Sequence, residues 1–95
     1  MMLIKVTLIA TFKMIAGQKS VSIELADGST VRDAVDAIMK RIPALKPHWL
    51  NKEGKIQAHV HIFLNGDDVS TLSQGLGTVL VENDTLDFIP PVAGG

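Results

Sequence analysis

The chain has 95 residues, of which 46% are hydrophobic and 20% are charged, and its formal net charge at pH 7 is -1. This length suits one compact domain, the hydrophobic content is too high for a disordered chain, and the dispersed charges exclude a continuous membrane span. The lack of a Lys or Arg block argues against nucleic acid as a partner, and the absence of cysteine excludes disulfides, thiolate zinc sites and a thiol nucleophile.

The first quarter of the chain predicts a β-hairpin. Apolar and polar residues alternate from Leu3 to Phe12 and again from Ser20 to Leu25, which is the period of half-buried strands. A polar turn at residues 16–19 joins the two strands. Because the apolar opening carries Lys5 and lacks a small-residue cleavage site, we interpret it as a strand rather than a signal peptide and expect a cytoplasmic location.

The next segment predicts one amphipathic helix. Ser29 or Thr30 is a suitable N-cap, and apolar residues recur at helical spacing up to Ile42. Pro43 ends the helix, because the residue before a proline is pushed out of the helical region. Residues 44–58 show no clear period and are predicted to be a connecting loop.

Three short strands are predicted in the second half, over residues 59–64, 67–70 and 85–89. Asn65-Gly66 is a strong hairpin-turn dipeptide, and Pro90-Pro91 must end the last strand because proline cannot donate to the ladder. The order β-β-α-β-β-β predicts a mixed five-stranded sheet covered on one face by a single helix, in the α+β class. We expect a domain over residues 1–90 and a flexible tail over residues 91–95.

The sequence ends in Gly94-Gly95, and this ending is its main chemical feature. Two terminal glycines add chain entropy and no side chain to bury, so they are a poor means of stabilising a fold. Pro-Pro stiffens the exit from the sheet, and a terminus without side chains can enter a channel too narrow for other residues. We therefore expect a mobile tail that delivers the Gly95 carboxylate to another protein's active site.

A carboxylate resists nucleophilic attack because it is anionic and has a poor leaving group, so it must first be activated. An acyl-adenylate made from ATP is one activated form, and a partner would have to make it. Attack by a persulfide would then lead to a thiocarboxylate, whereas attack by a thiol would give a thioester able to acylate amines. An inert, frayed terminus is the alternative that Gly-Gly alone leaves open.

The residues before the tail favour an active terminus. The closing run resembles the C-terminal signature of molybdopterin synthase small subunits, in the family of ubiquitin-like β-grasp sulfur carriers; that run is Asp87-Phe88-Ile89-Pro90-Pro91-Val92-Ala93-Gly94-Gly95. The resemblance extends over nearly the whole chain, including the Asn65-Gly66 hairpin and the helix that begins at Thr30. The chain departs from the family at Phe12-Lys13, where Leu-Arg is frequent, and at Asn83, where Gly is frequent.

The resemblance implies a β-grasp carrier that acts as a co-substrate and is not itself an enzyme. In this family the tail enters the active site of the synthase large subunit, which supplies the catalytic side chains, and the thiocarboxylate supplies the dithiolene sulfurs of molybdopterin. By resemblance, Gly95 carries the sulfur and Gly94 permits the close approach. The implied partners are the molybdopterin synthase large subunit and a ubiquitin-activating-type adenylating enzyme that uses ATP, and no permanently bound cofactor is expected.

Three other functions stay open at this point. A ubiquitin-like modifier joined through Gly95 to protein lysines needs the same activated terminus. A thiamine-pathway sulfur carrier uses the same chemistry, although the long segment 44–58 favours molybdopterin-type or archaeal modifier-like carriers. A binding-only β-grasp domain with an inert tail is the third, and deletion of Gly94 and Gly95 would distinguish it.

The open face of the predicted sheet is expected to bind partners. Strand alternation places Ile9, Phe63 and Ile89 on this face, and the β-grasp strand order would bring them together as one apolar patch beside the tail. The resemblance supports this interpretation, because family members hold both partner enzymes through this face. The tail residues Pro90, Pro91, Val92 and Ala93 complete the predicted partner-binding set. The alternative interpretation is that each of the three is a singly exposed apolar residue, which is common on soluble proteins.

Two histidines are candidate metal ligands. His59 and His61 are two residues apart on a predicted strand and so share a face, a spacing that binds a metal only if a third donor converges. Neither has an obvious carboxylate neighbour in the sequence. We therefore expect a solvated pair and predict no metal site.

Overall fold

The computed structural model describes residues 1–91, so the predicted tail residues Val92 to Gly95 lie outside the described residues. Five strands form one sheet: β1 (Met2–Leu8), β2 (Ser20–Leu25), β3 (His61–Leu64), β4 (Asp67–Asp68) and β5 (Thr85–Ile89). Their order across the sheet is β2-β1-β5-β3-β4. Among these five strands only β1 and β5 run parallel, so the predicted mixed sheet is confirmed, and the first, fifth and third strands are adjacent.

The α-helices within residues 1–91 are, in chain order, α1 (Thr11–Ala16), α2 (Val31–Arg41) and α3 (Lys46–Trp49). Helix α2 covers one face of the sheet, as predicted. Its first turn is closed by a capping box: the Thr30 hydroxyl accepts from the Asp33 amide, and the Asp33 carboxylate accepts from the Thr30 amide. Its buried stripe packs against the inward side chains of the strands. Within the part of the chain that the structure describes, no helix lies on the outward face of the sheet, which forms the open face.

The first strand is shorter than predicted, and a helix was missed. β1 ends at Leu8 rather than Phe12, and α1 begins at Thr11. Phe12 points into the core, and Gly17 ends the helix in a left-handed conformation with φ 73°. Six helical residues are too few for their spacing to stand out from the strand pattern that precedes them.

The segment predicted as a loop over residues 44–58 also contains regular structure. A 3-10 turn at Pro43–Leu45 leads directly into α3, so the prediction of a single helix was wrong. Leu45 and Trp49 are fully buried. The burial of these two side chains decides the local conformation, and it has no periodic signature in so short a segment.

Two strands of the second half begin or end differently from the prediction. β3 starts at His61 because the Val60 amide is used in a turn with the Gln57 carbonyl. β4 stops at Asp68, whose side chain caps a 3-10 turn over Val69–Thr71 instead of continuing to residue 70. Gly75–Gly77 forms another 3-10 turn. No helix within residues 1–91 is both long enough and apolar enough to cross a membrane.

Candidate functional site

The last strand places Pro90, which we call the tail root, at the centre of the sheet. β5 is the third of five strands, and its inward residues Leu86 and Phe88 are fully buried between β1 and β3. Pro90 is also buried, whereas Pro91 is exposed. The chain is therefore anchored up to Pro90, which follows the end of β5 at the middle of the sheet, between Leu8 of β1 and His61 of β3.

Three aromatic rings support this root from the inside. The Trp49 indole stacks on the Phe88 ring with centroids 4.4 Å apart and an interplanar angle of 14°. Phe12 contacts the same indole edge-to-face at 5.7 Å. Helices α1 and α3, both missed from the sequence, thus each contribute one ring to the cluster behind β5.

A buried carboxylate holds the opposite end of β5. Asp84 is only 8% exposed, and its two oxygens accept hydrogen bonds from Asn65 Nδ2 at 2.9 Å and from the Val81 amide at 2.8 Å. The Asn65 amide oxygen accepts in turn from the Thr85 amide at 2.9 Å. These bonds tie the hairpin turn after β3 to the turn before β5, so the start of the strand is fixed as firmly as its end.

The open face beside Ile89 and Pro90 mixes apolar and polar side chains. Ile9, which is 37% exposed, continues the β1 ladder through a bond from its amide to the Phe88 carbonyl, and it lies beside Ile89. Ile89 is directly opposite His61 on β3. Phe63 faces Asp87 across the β3–β5 pair, so it stands diagonal to Ile89. The structure thus places Ile9, Phe63 and Ile89 on one face, with charged residues interleaved between them; their binding role stays a prediction.

Phe63 has a second acidic neighbour on its other side. Asp68 of β4 pairs with Phe63 in the antiparallel register. Hydrogen bonds from the Ser70 hydroxyl and amide, at 2.8 and 2.9 Å, hold the pKa of the Asp68 carboxyl below its ordinary value, with nearby His61 acting in the same direction. Asp68 is therefore ionised at neutral pH.

A strained turn lies next to the tail root. The Phe12 amide bonds to the Ile9 carbonyl, and Ala10 between them has φ 52° and ψ -122°, the first central position of a type II′ turn. Glycine is the usual residue there because a Cβ is poorly tolerated. The turn redirects the chain from β1 into α1, which brings Phe12 into contact with Trp49. An alanine at this position does not indicate a turn, so the sequence did not predict one.

The two histidines do not form a metal centre within the described residues. His59 precedes β3 in a turn, and His61 is an exposed residue on the open face. Among residues 1–91, no three His, Asp or Glu side chains converge on a common point that would hold a metal ion. The candidate site consequently consists of the anchored root, the open face and the C-terminal residues that follow Pro91.

Comparison with known proteins places this arrangement in a family. The model described as the ThiS family matches residues 6–95. Small archaeal modifier protein 3 of Haloferax volcanii is 34% identical over 86 residues, which cover 90% of this chain and 91% of that protein. Sulfur carrier protein CysO of Mycobacterium tuberculosis is 32% identical over 81 residues, or 83% of each chain.

A solved structure agrees with this assignment. The putative molybdopterin converting factor, subunit 1, of Pyrococcus furiosus superposes with a TM-score of 0.76 at 28% identity, covering 97% of this chain and all of that one. The family match spans nearly the full chain, and the sheet order and helix placement are those of the ubiquitin-like β-grasp. The chain therefore belongs to the ThiS family of small ubiquitin-like sulfur carriers and modifiers.

Proposed function

We propose that this chain is a sulfur carrier in which Gly95 is adenylated by a partner enzyme and converted to a thiocarboxylate. The observation that carries the proposal is the family match through residue 95, joined to the closing run from Asp87 to Gly95 that resembles molybdopterin synthase small subunits. The anchored root at Pro90 suits this role, because a rigid base limits the volume that the following residues must search for an active site.

The chemistry needs three steps, which begin at the Gly95 carboxylate and end with its thiocarboxylate. A carboxylate oxygen attacks the α-phosphorus of ATP, pyrophosphate leaves, and an acyl-adenylate forms. A persulfide on a partner cysteine then attacks the carbonyl carbon, and AMP leaves. A second partner thiol cleaves the resulting acyl disulfide, which releases the thiocarboxylate and leaves a disulfide between the two partner sulfurs. This chain has no cysteine, so every thiol that takes part in these three steps comes from a partner.

The proposed recipient is the precursor of molybdopterin, whose dithiolene requires sulfur. The C-terminal resemblance supports this choice, as does the likeness to the Pyrococcus furiosus protein named as a putative molybdopterin converting factor subunit. The catalytic side chains are proposed to lie on the synthase large subunit. Gly94 permits the tail to enter that site, because it has no side chain to clash with a narrow channel.

Protein modification is a second candidate function. The 34% identity to a protein named as a small archaeal modifier supports it. In this case a lysine Nζ of a target protein attacks the activated Gly95 carbonyl carbon, the AMP or thiol leaving group departs, and an amide bond forms. The two functions use the same activated terminus and differ only in the nucleophile.

Intact mass of the protein purified from its own cells separates these functions. A gain equal to the mass difference between sulfur and oxygen, confined to the C-terminal peptide, is the expected result for the carrier. Glycine-linked adducts on lysines of other proteins, without that gain, would replace the carrier proposal with the modifier. If neither product is found, a binding-only domain is the remaining interpretation. Complementation of molybdenum-cofactor and thiamine auxotrophs then identifies the pathway, and rescue of the thiamine auxotroph alone would overturn the proposed recipient.

A further inference from the structure

A recess of about 350 Å³ lies on the helical side of the domain, between α2 and the segment that begins with α3. Met39 and Leu50 form its apolar part, and the charged residues Asp36, Lys40 and Lys46 line the rest. Met39 belongs to the buried stripe of α2, whereas Leu50 is half-buried. The recess therefore combines an apolar wall with charged side chains, and it is separate from the open face.

Hydrogen bonds hold the wall opposite α2, so the recess is preformed. The Leu50 amide donates to the Lys46 carbonyl at 2.9 Å, which closes the turn that ends α3. The Arg32 guanidinium connects the two sides, because it donates to Asp36 Oδ1 at 3.1 Å and to the Gly54 carbonyl at 3.5 Å. A site that already has its bound shape loses less conformational entropy when a ligand binds.

The charge around this recess is predominantly positive. Residues 32–55 hold six of the nine Lys and Arg residues but only three of the ten acids. One of those acids, Asp36, is already paired with Arg32. The ion pairs found within residues 1–91 involve neither Lys40 nor Lys46. The two ammonium groups beside the apolar wall can therefore pair with anionic groups of a ligand.

We propose that this recess binds an acidic segment of a partner protein, in which one apolar side chain lies between Asp or Glu residues. The apolar side chain contacts Met39 and Leu50, and the flanking carboxylates pair with Lys40 and Lys46. Charge pairs around an apolar contact raise the association rate and fix the orientation of the bound segment. The inference goes beyond the proposed function, because it involves neither Gly95 nor its activation.

The lining favours a protein segment over a phosphate or a nucleic acid. Asp36 contributes a carboxylate to the recess, and this charge repels the closely spaced phosphates of a polyanion. No arginine, whose planar fork suits phosphate, is among the described residues that line it. Lys40 also lies in the last turn of α2, where a positive charge stabilises the helix. That role affects unfolding and not binding, so the two can be separated.

The test titrates the full-length protein with a synthetic peptide, Glu-Glu-Leu-Glu-Glu with blocked ends, and follows the backbone amide signals by NMR. A second peptide with Ser in place of Leu keeps the charge and removes the apolar group, and a short single-stranded RNA of equal charge is the competing probe. The variants are Lys40→Gln and Lys46→Gln. Lys40→Arg keeps the charge, and Lys5→Gln removes an exposed charge from β1, on the open face. Thermal unfolding checks that each variant is folded.

We expect the Leu peptide to shift the amide signals of the residues that line the recess, and we expect the Ser peptide to bind more weakly. Lys40→Gln and Lys46→Gln should each raise the Kd of the Leu peptide roughly three- to tenfold. Lys40→Arg and Lys5→Gln should bind it as the wild type does. This pattern would locate the binding and show that it needs both the apolar group and the two charges.

Four results would overturn the inference. They are no saturable binding of the Leu peptide, equal affinity for the two peptides, signal shifts spread over lysines throughout the protein, and tighter binding of the RNA at the same residues. Shifts at the recess that depend on protein concentration alone would assign it to a second copy of the chain instead. Deletion of Gly94 and Gly95 should leave peptide binding unchanged, so the outcome is independent of whether Gly95 is activated.

Discussion

Among residues 1–91, Ala10 is the residue whose backbone conformation departs most from what its side chain favours. With φ 52° and ψ -122°, it occupies the glycine position of a type II′ turn between β1 and α1. A non-glycine residue in such a region costs on the order of 1–3 kcal/mol, and it persists because the surrounding structure determines it. Here the surrounding structure is the aromatic cluster of Phe12, Trp49 and Phe88, which requires α1 to start close to the end of β1.

Replacing Ala10 with glycine should therefore stabilise the protein. The relief of strain exceeds the extra chain entropy of glycine in the unfolded state, and we expect a net gain of about 1 kcal/mol in the free energy of unfolding. Urea unfolding of the wild type and Ala10→Gly measures it. Ala16→Gly, at the last position of α1 where φ is helical, is the matched control and should lower stability. A lower midpoint for Ala10→Gly would contradict the strain argument.

Asn65 contributes both a conformation and two hydrogen bonds. Its φ of 50°, followed by 90° at Gly66, makes the tight hairpin turn predicted from the dipeptide. Its side chain also donates to the buried Asp84 carboxylate and accepts from the Thr85 amide. The turn propensity was readable from the sequence, whereas a hydrogen bond to a residue 19 positions away was not.

Asn65→Asp should lower stability by about 2 kcal/mol at neutral pH, because it sets a carboxylate against Asp84 without changing size or turn preference. Repulsion raises the folded-state pKa of the new carboxyl above its unfolded value of about 4. The penalty should consequently shrink as pH falls through that raised pKa. Urea midpoints from neutral pH to about pH 4 test this sign. A penalty independent of pH would contradict it.

Among the elements, helix α2 shows the best agreement between the prediction from the sequence and the structure. Its cap, length and buried stripe are all encoded locally, and the predicted end at Pro43 is within two residues of the last helical residue, Arg41. α1 and α3 are six and four residues long and depend on the aromatic cluster for their stability. Elements that owe their existence to distant contacts are those that local patterns fail to predict.

The capping box at the start of α2 has a measurable contribution. Thr30→Ala removes the hydroxyl that accepts from the Asp33 amide, and we expect a loss of about 1 kcal/mol in the free energy of unfolding. Ser29→Ala is the matched control, since no hydrogen bond of the Ser29 side chain is present within residues 1–91. Equal losses for the two variants would mean that the cap does not act as described.

At the scale of the whole molecule, the fold and the proposed chemistry are separable. The described core ends at Pro90, so deletion of Gly94 and Gly95 should leave the unfolding midpoint unchanged. The same deletion should abolish the gain in mass at the C-terminal peptide after incubation with ATP, the activating enzyme and a sulfur source. Gly94→Ala, which keeps the length, should be activated more slowly than the wild type because of its added methyl group. Full activation of the truncated chain would contradict the role assigned to Gly95.

By itself, the sequence determined the class of fold and the chemical hypothesis. Alternating strands, one capped helix, the Asn65-Gly66 turn and the closing Gly-Gly run are local patterns, and each can be read without knowing what the residues contact. Their order was sufficient to predict the five-stranded sheet and its open face, and the resemblance of the closing run to a known family implied a carrier of the β-grasp type.

Only the tertiary structure decided how the tail root is supported and which charges surround the open face. The strained turn at Ala10 and the stacking of Trp49 on Phe88 depend on segments far apart in the chain. The same is true of Asp68, Phe63 and Asp87, which share a row only because three strands pair in one register. The physical reason is that side-chain packing and strand pairing are long-range interactions, and a linear pattern records only the local preferences of each residue.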